Sequence, residues 1–122
     1  MTIGQILFSF EGRIGRGTWW AATIGVMVVN VVLQGIMAGV ASGSSGGEGF
    51  AAILILLLLV PLIWISVAVS VKRWHDRGKS GWMVLVGLIP LIGAIWQLVE
   101  CGILRGTVGS NEYGDDPVPD AA

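Results

Sequence analysis

His75-Asp76 is the one neighbouring pair in this 122-residue chain with obvious chemical reach. An aspartate can orient an imidazole, and an imidazole can pass protons near neutral pH. Ser80 is the nearest downstream hydroxyl, but nothing in the spacing places it as a nucleophile. A metal site is not expected. His75 is the only histidine and Cys101 the only cysteine, so neither an imidazole nor a thiolate ligand set can be filled. The favoured reading is structural: Asp76 binds Arg13, Arg16 or backbone N–H groups and shapes its turn. Gly78 and Gly81 permit tight bends there, and Ser80 is placed to cap the segment that follows. No catalytic set is complete, so no enzymatic activity and no cofactor are expected.

The second candidate group is cationic. Lys72, Arg73, Arg77 and Lys79 lie within the eleven residues Lys72–Trp82, and Arg13 and Arg16 precede the first apolar run. Six of the seven Lys and Arg residues therefore fall in two short segments. Basic side chains flanking apolar helices attract anionic head groups, each by about 1 kcal/mol. Arg13 and Arg16, one helical turn apart, could grip one phosphate together. The expected lipid- or partner-binding set is thus Arg13, Arg16, Arg73, His75, Asp76, Arg77 and Lys79. Nucleic acid is not an expected partner, because the basic cluster borders apolar runs and no nucleic-acid-reading motif accompanies it.

A third group consists of polar residues within apolar stretches. Asn30 and Gln34 are four apart and share a helical face, which should turn inward to find partners. Ser66 and Ser70 repeat that spacing. Glu100 is the only acid within an apolar run and is a functional candidate by default, although its terminal position lets it reach water or Arg105. Pro61 and Pro90 lie near the middle of their runs and should bend them. Gly35 and Gly39 form a small-xxx-small surface suited to close helix approach, within the chain or in a homo-oligomer. Trp19, Trp20, Trp74 and Trp82 are placed for interfacial anchoring. Trp64 and Trp96 sit deeper, against neighbouring helices. Cys101 reads as a small packing residue.

The elements that must hold these residues are set by composition. The chain is 54% hydrophobic and 12% charged, about half the charge of a soluble domain. Three apolar runs, about 18–40, 50–71 and 81–104, are each near the ~20 residues needed to cross a bilayer core. They lack the alternation of barrel strands, so helices are expected. The fold class is an all-α membrane protein forming one domain. Three transmembrane helices are expected, with a short amphipathic interfacial helix within 3–16, a flexible Gly/Ser linker over 41–49 and an irregular polar tail over 105–122. The first run lacks a cleavage site and reads as a retained span. The basic segments place the N-terminus and the 72–80 turn in the cytoplasm. Three crossings then put the C-terminus outside. In the alternative, Pro90 and Gly93 turn the third run back on itself and keep the tail inside. Two half-length arms would each reach only about half the core, and that length argument favours a full crossing.

Four motifs carry a family resemblance. Phe10-Glu11-Gly12-Arg13-Ile14-Gly15-Arg16-Gly17-Thr18-Trp19-Trp20 resembles an F-x-G-R-x-x-R-x-x-[YW]-W opening. Arg73-Trp74-His75-Asp76-Arg77-Gly78-Lys79-Ser80-Gly81-Trp82 resembles an R-x-H-D-x-G-K-S-G-W turn, and Ile89-Pro90-Leu91-Ile92-Gly93 an I-P-x-x-G helix. The segment Gly106 to Pro117 resembles a G-x-x-G-x-N-x-[YF]-G-x-D-P ending. In this order they are similar to the family of small bacterial inner-membrane proteins catalogued as domain of unknown function 805, the YhaH-like proteins. The resemblance implies a bacterial inner-membrane helical protein and carries no activity, cofactor or catalytic residue. The tail is one of the family motifs, yet the three-crossing topology puts it across the membrane from the His-Asp turn; if the two form one site, the third crossing does not occur.

Three functions compete. The first is a non-enzymatic accessory protein binding anionic lipid or a membrane partner through its basic face. The second is an oligomeric path for a small solute or protons, using Asn30, Gln34 and Glu100. The third is a lipid-head-group enzyme using His75 and Asp76.

Overall fold

The computed structural model describes residues 2–43 and 47–118. Helix α1 spans Ile3–Phe8, α2 Arg16–Gly43 and α3 Gly47–Asp76; a 3-10 arm follows at Gly81–Leu88, then α4 at Ile92–Gln97, which continues as a π-helical turn over Leu98–Ile103. The class is all-α, with an isolated bridge between Asn111 and Gly114 the only β-type pairing among the described residues. Two helices, α2 and α3, are long and apolar enough to cross a membrane. They pack side by side as an antiparallel pair, with α1, the 3-10 arm and the α4 arm against their shared end.

Helix α1 is opened by Thr2, whose hydroxyl accepts from the Gln5 backbone N–H while the Thr2 N–H donates to Gln5 Oε1. It is shorter than the interfacial helix expected through residue 16. The chain leaves the helix at Ser9 and turns at Gly12, whose φ of 94° is left-handed. The linker expected over 41–49 is also largely helical: α2 runs through Gly43 and α3 starts at Gly47. Ser44, Ser45 and Gly46 lie outside the described residues, as do Pro119–Ala122 of the tail. Helix α3 runs through Pro61 without interruption.

The third apolar run departs from the single span expected over 81–104. Its first arm, eight residues of 3-10 helix at about 2 Å per residue, reaches about 16 Å. The return arm, twelve residues at about 1.5 Å, covers about 18 Å. Each is roughly half of a ~30 Å core. The reversal is a classic γ-turn: Leu91 sits at φ 61°, ψ −60°, and the Ile92 N–H donates to the Pro90 carbonyl at 2.7 Å. Gly93 must be glycine, because a Cβ there would collide with the Val86 carbonyl of the opposing arm. The I-P-x-x-G segment is therefore a hairpin tip. A full crossing would have separated the tail from the 72–80 turn; here the hairpin returns the tail to that turn.

The core lies at this shared end rather than at mid-span. Ile14, Trp19, Val69, Trp74 and Cys101 are buried together, with Ile6, Ala22, Met83 and Val84 packed against them. Cys101 is thus a packing residue. Trp19 and Trp74 are core residues and not interfacial anchors; Trp20 and Trp82 remain exposed. Trp64 stacks on Phe10 with ring centroids 4.9 Å apart, tying the N-terminal arm to α3.

Candidate functional site

At the shared end the chain buries Asp76 between two arginines. Arg13 Nε donates to Oδ1 at 3.0 Å, and Arg73, one turn back on α3, pairs with Oδ2. All three side chains are buried. A carboxylate so placed is tolerable only because both oxygens have charged donors. Arg13 does more: its Nη1 donates to the carbonyls of Gly109 (2.7 Å) and Gly114 (3.0 Å), and its Nη2 to that of Thr107. The Thr107 N–H donates to the Asp76 carbonyl. A side chain on Gly106 would strike the Asp76 carboxylate, so this glycine lets the tail close over the pair. The opening arm, the end of α3 and the tail thereby form one polar knot.

A second set of contacts seats the return arm. The last carbonyls of a helix have no partner within it. Here Cys101 and Leu104 carbonyls accept from Arg73, Gly102 from Trp20 Nε1 at 2.8 Å, and Ile103 from Arg16 Nη1 at 2.8 Å. Positive charge at a helix C-terminus also complements its dipole. Glu100, expected near the opposite surface, lies on this same end. It accepts from Arg77 at 2.8 Å and Lys79 at 2.6 Å, not from Arg105. Arg105 pairs instead with Asp116 at 3.4 Å. Asp116 also accepts from the Val118 and Gly109 backbone N–H groups, and those bonds hold its carboxyl below the usual range.

His75 is held separately from Asp76. Its Nδ1 lies 3.0 Å from the Gly12 carbonyl, so that nitrogen carries the proton. Its ring stacks on Tyr113, centroids 4.0 Å apart and planes 3° from parallel, and Asn111 Nδ2 donates to its backbone carbonyl at 2.9 Å. The expectation that Asp76 shapes its turn through Arg13 holds; an Asp-oriented imidazole does not. Arg13 is committed to Asp76 and the tail, and Arg16 donates to the Ile103 carbonyl. Of the intramembrane polar set, Gln34 Nε2 donates to Asn30 Oδ1 at 3.1 Å, while Glu100 is remote from both, at the polar end. Ser66 bonds back to the Leu62 carbonyl, and Ser70 accepts from Trp19 Nε1 at 3.4 Å. A Cβ at Gly35 or Gly39 would meet nothing within 4 Å among the described residues.

Several residues that build the site had no individual sequence signal. Lys72 is buried, its Nζ donating to the carbonyls of Gln5 (2.8 Å) and Ser9. Thr107, Asn111 and Tyr113 belong to the tail motif, and the matching of that motif beside the His-Asp motif was the one available clue to their meeting.

A family model described as "Protein of unknown function (DUF805)" matches residues 7–115. Among curated proteins, the "Uncharacterized protein YiiR" of Escherichia coli K12 is 35% identical over 140 residues, covering 95% of this chain and 90% of the relative. "Inner membrane protein YhaH" of the same organism is 31% identical, covering 88% and 86%. "Inner membrane protein YhaI" is 31% identical, covering 88% and 85%. No solved structure matches.

Proposed function

The chain belongs to the DUF805 family of proteins of unknown function, and from that premise we propose a non-enzymatic accessory protein of the bacterial inner membrane whose polar end rests on anionic head groups of the cytoplasmic leaflet. The observation that carries this reading is sidedness. With the hairpin returning the chain, Arg105 joins the other six, and all seven Lys and Arg residues sit at one end of the bundle. That asymmetry supports a cytoplasmic placement of the N-terminal arm, the 72–80 turn and the tail.

Non-catalytic use is supported by where the charges go. Asp76 spends both oxygens on arginines, and Glu100 spends both on Arg77 and Lys79. The groups left to meet lipid are the exposed Arg16 and the half-exposed Lys79. Neutralising both (Arg16→Gln with Lys79→Gln) is expected to halve, or more, the phosphatidylglycerol retained through purification, with the fold intact. Unchanged retention would remove the reading.

A second reading, transport through an oligomer, is favoured by one feature. The hairpin tip carries irregular backbone to mid-depth, with Leu88 and Leu91 more than 70% exposed. Such backbone is tolerated in lipid only when protein or water covers it. Crosslinking in membranes from a cysteine at Leu88 tests it: a specific dimer or higher band supports assembly, and monomer alone opposes it.

A further inference from the structure

We propose that the groove beside His75 is a binding site for a neutral acylglycerol, with the acyl chain against α3 and its free hydroxyl between His75 and Ser80. This site is distinct from the basic rim and does not depend on it. The groove encloses about 390 Å³, within the range of small-ligand sites. Three elements wall it: Phe10 from the N-terminal arm, Val67 and Val71 from α3, and Trp82 and Val84 from the 3-10 arm. A second hollow of about 380 Å³ shares Phe10 and Val67 with it and continues along α3 past Trp64 to Val60. The two make an apolar track that starts at the polar end and descends the lipid-facing side of a spanning helix. A lipid chain is the occupant that a bilayer supplies to such a track.

The polar end selects the head group. None of the seven Lys and Arg residues lines the groove, so no charge is available to a phosphate. His75 Nδ1 is committed to the Gly12 carbonyl and the ring is clamped on Tyr113. Its other nitrogen, Nε2, has no hydrogen-bond partner among the described residues. Gly81 keeps that nitrogen open: a Cβ there would stand 3.3 Å from Nε2 and 2.8 Å from Val71. In the neutral ring Nε2 is an acceptor. The Ser80 hydroxyl accepts from the Trp82 N–H at 3.3 Å, which leaves its own hydrogen to donate. An acceptor and a donor lining one groove are the complement of an alcohol, which donates to Nε2 and accepts from Ser80. Against the neutral ring, an unprotonated carboxylate or phosphate oxygen would meet Nε2 acceptor to acceptor. The contacts to Gly12 and Tyr113 fix the direction in which Nε2 points.

The test is photolabelling of the full-length protein in phosphatidylcholine vesicles with a diacylglycerol bearing a diazirine on its acyl chain. Labelling is expected to saturate at one probe per chain and to map to peptides containing Val67 or Trp82. Unlabelled diacylglycerol should compete at least tenfold better than triacylglycerol, which lacks the hydroxyl. Val67→Trp, which fills the groove from its lipid side, should reduce labelling at least tenfold; Val84→Trp serves if that variant does not fold. Ser80→Ala with His75→Phe should abolish the preference for diacylglycerol while leaving chain labelling. Unsaturable labelling, equal competition by triacylglycerol, or labelling unchanged in the filled variants would overturn the proposal. The Arg16/Lys79 double variant should label normally; if it loses phosphatidylglycerol but keeps the probe, the rim and groove are separate sites.

Discussion

Asp76 is the residue on which the polar end turns, because it neutralises two buried arginines that otherwise bind carbonyls of the tail and of the return arm. Removing one partner of a buried pair costs about 3–5 kcal/mol, since the remaining charge stays buried. Asp76→Asn is therefore expected to lower thermal stability in detergent by that order; a change under 1 kcal/mol would contradict the geometry. Arg13→Lys should act more narrowly. A lysine keeps the charge but cannot address Asp76 and three carbonyls together, so the tail should become cleavable by limited proteolysis while the spans stay folded. Asp116 gives a pH signature. Its carboxyl is held below its ordinary 3.8 by the Val118 and Gly109 N–H groups, so its stabilising effect is full above that value and lost as pH falls through the lower folded value. The tail protection that distinguishes wild type from Asp116→Asn, read by hydrogen exchange, should shrink across that acid window and be unchanged at neutral pH. Part of this was legible at residue level: Arg13 was one of the three partners open to Asp76, beside Arg16 and backbone N–H groups, and Cys101 read as a packing residue. The carbonyl partners of Arg16, Lys72 and Arg73 were not, because a backbone acceptor leaves no mark in residue type.

Among the elements, α2 and α3 could be read from length and apolarity alone, and the third run could not. Twenty-four apolar residues satisfy either one crossing or two half-depth arms, and hydropathy is the same for both. The discriminating features were Pro90 and Gly93. Proline gives up its N–H and so opens a helix cheaply, and glycine here admits the Val86 carbonyl. Read as a kink within a helix, the same two residues predict a span; read as a tip, a hairpin. Gly93→Val should abolish the close approach of the two arms and with it a monodisperse purified protein. Gly35→Ala is the contrasting case. Nothing among the described residues lies within 4 Å of its Cβ position, and alanine is the better helix former by about 0.5–1 kcal/mol, so stability of the single chain should be kept or slightly raised. Chromatography and thermal scans of the two variants side by side make the comparison.

At the scale of the whole molecule, the bundle is strongly polarised. The main buried cluster, the ion pairs and every Lys and Arg gather at one end, while the flanks of α2 and α3 expose Val, Ile and Leu. The composition announced a membrane protein, and the basic segments announced a polarised one. The contact between the two outer motifs needed the hairpin to become visible, although the resemblance had already placed both in one family pattern. The sharpest test uses single cysteines at Glu11 and Val108 in a Cys101→Ala background, labelled with a membrane-impermeant maleimide in intact spheroplasts and in inside-out vesicles. Both positions are exposed, Val108 at 74%. The hairpin predicts identical behaviour, with both shielded in spheroplasts and both labelled in inverted vesicles. Labelling of Val108→Cys from the face opposite Glu11→Cys would restore a third crossing and contradict the polar knot on which the account is built.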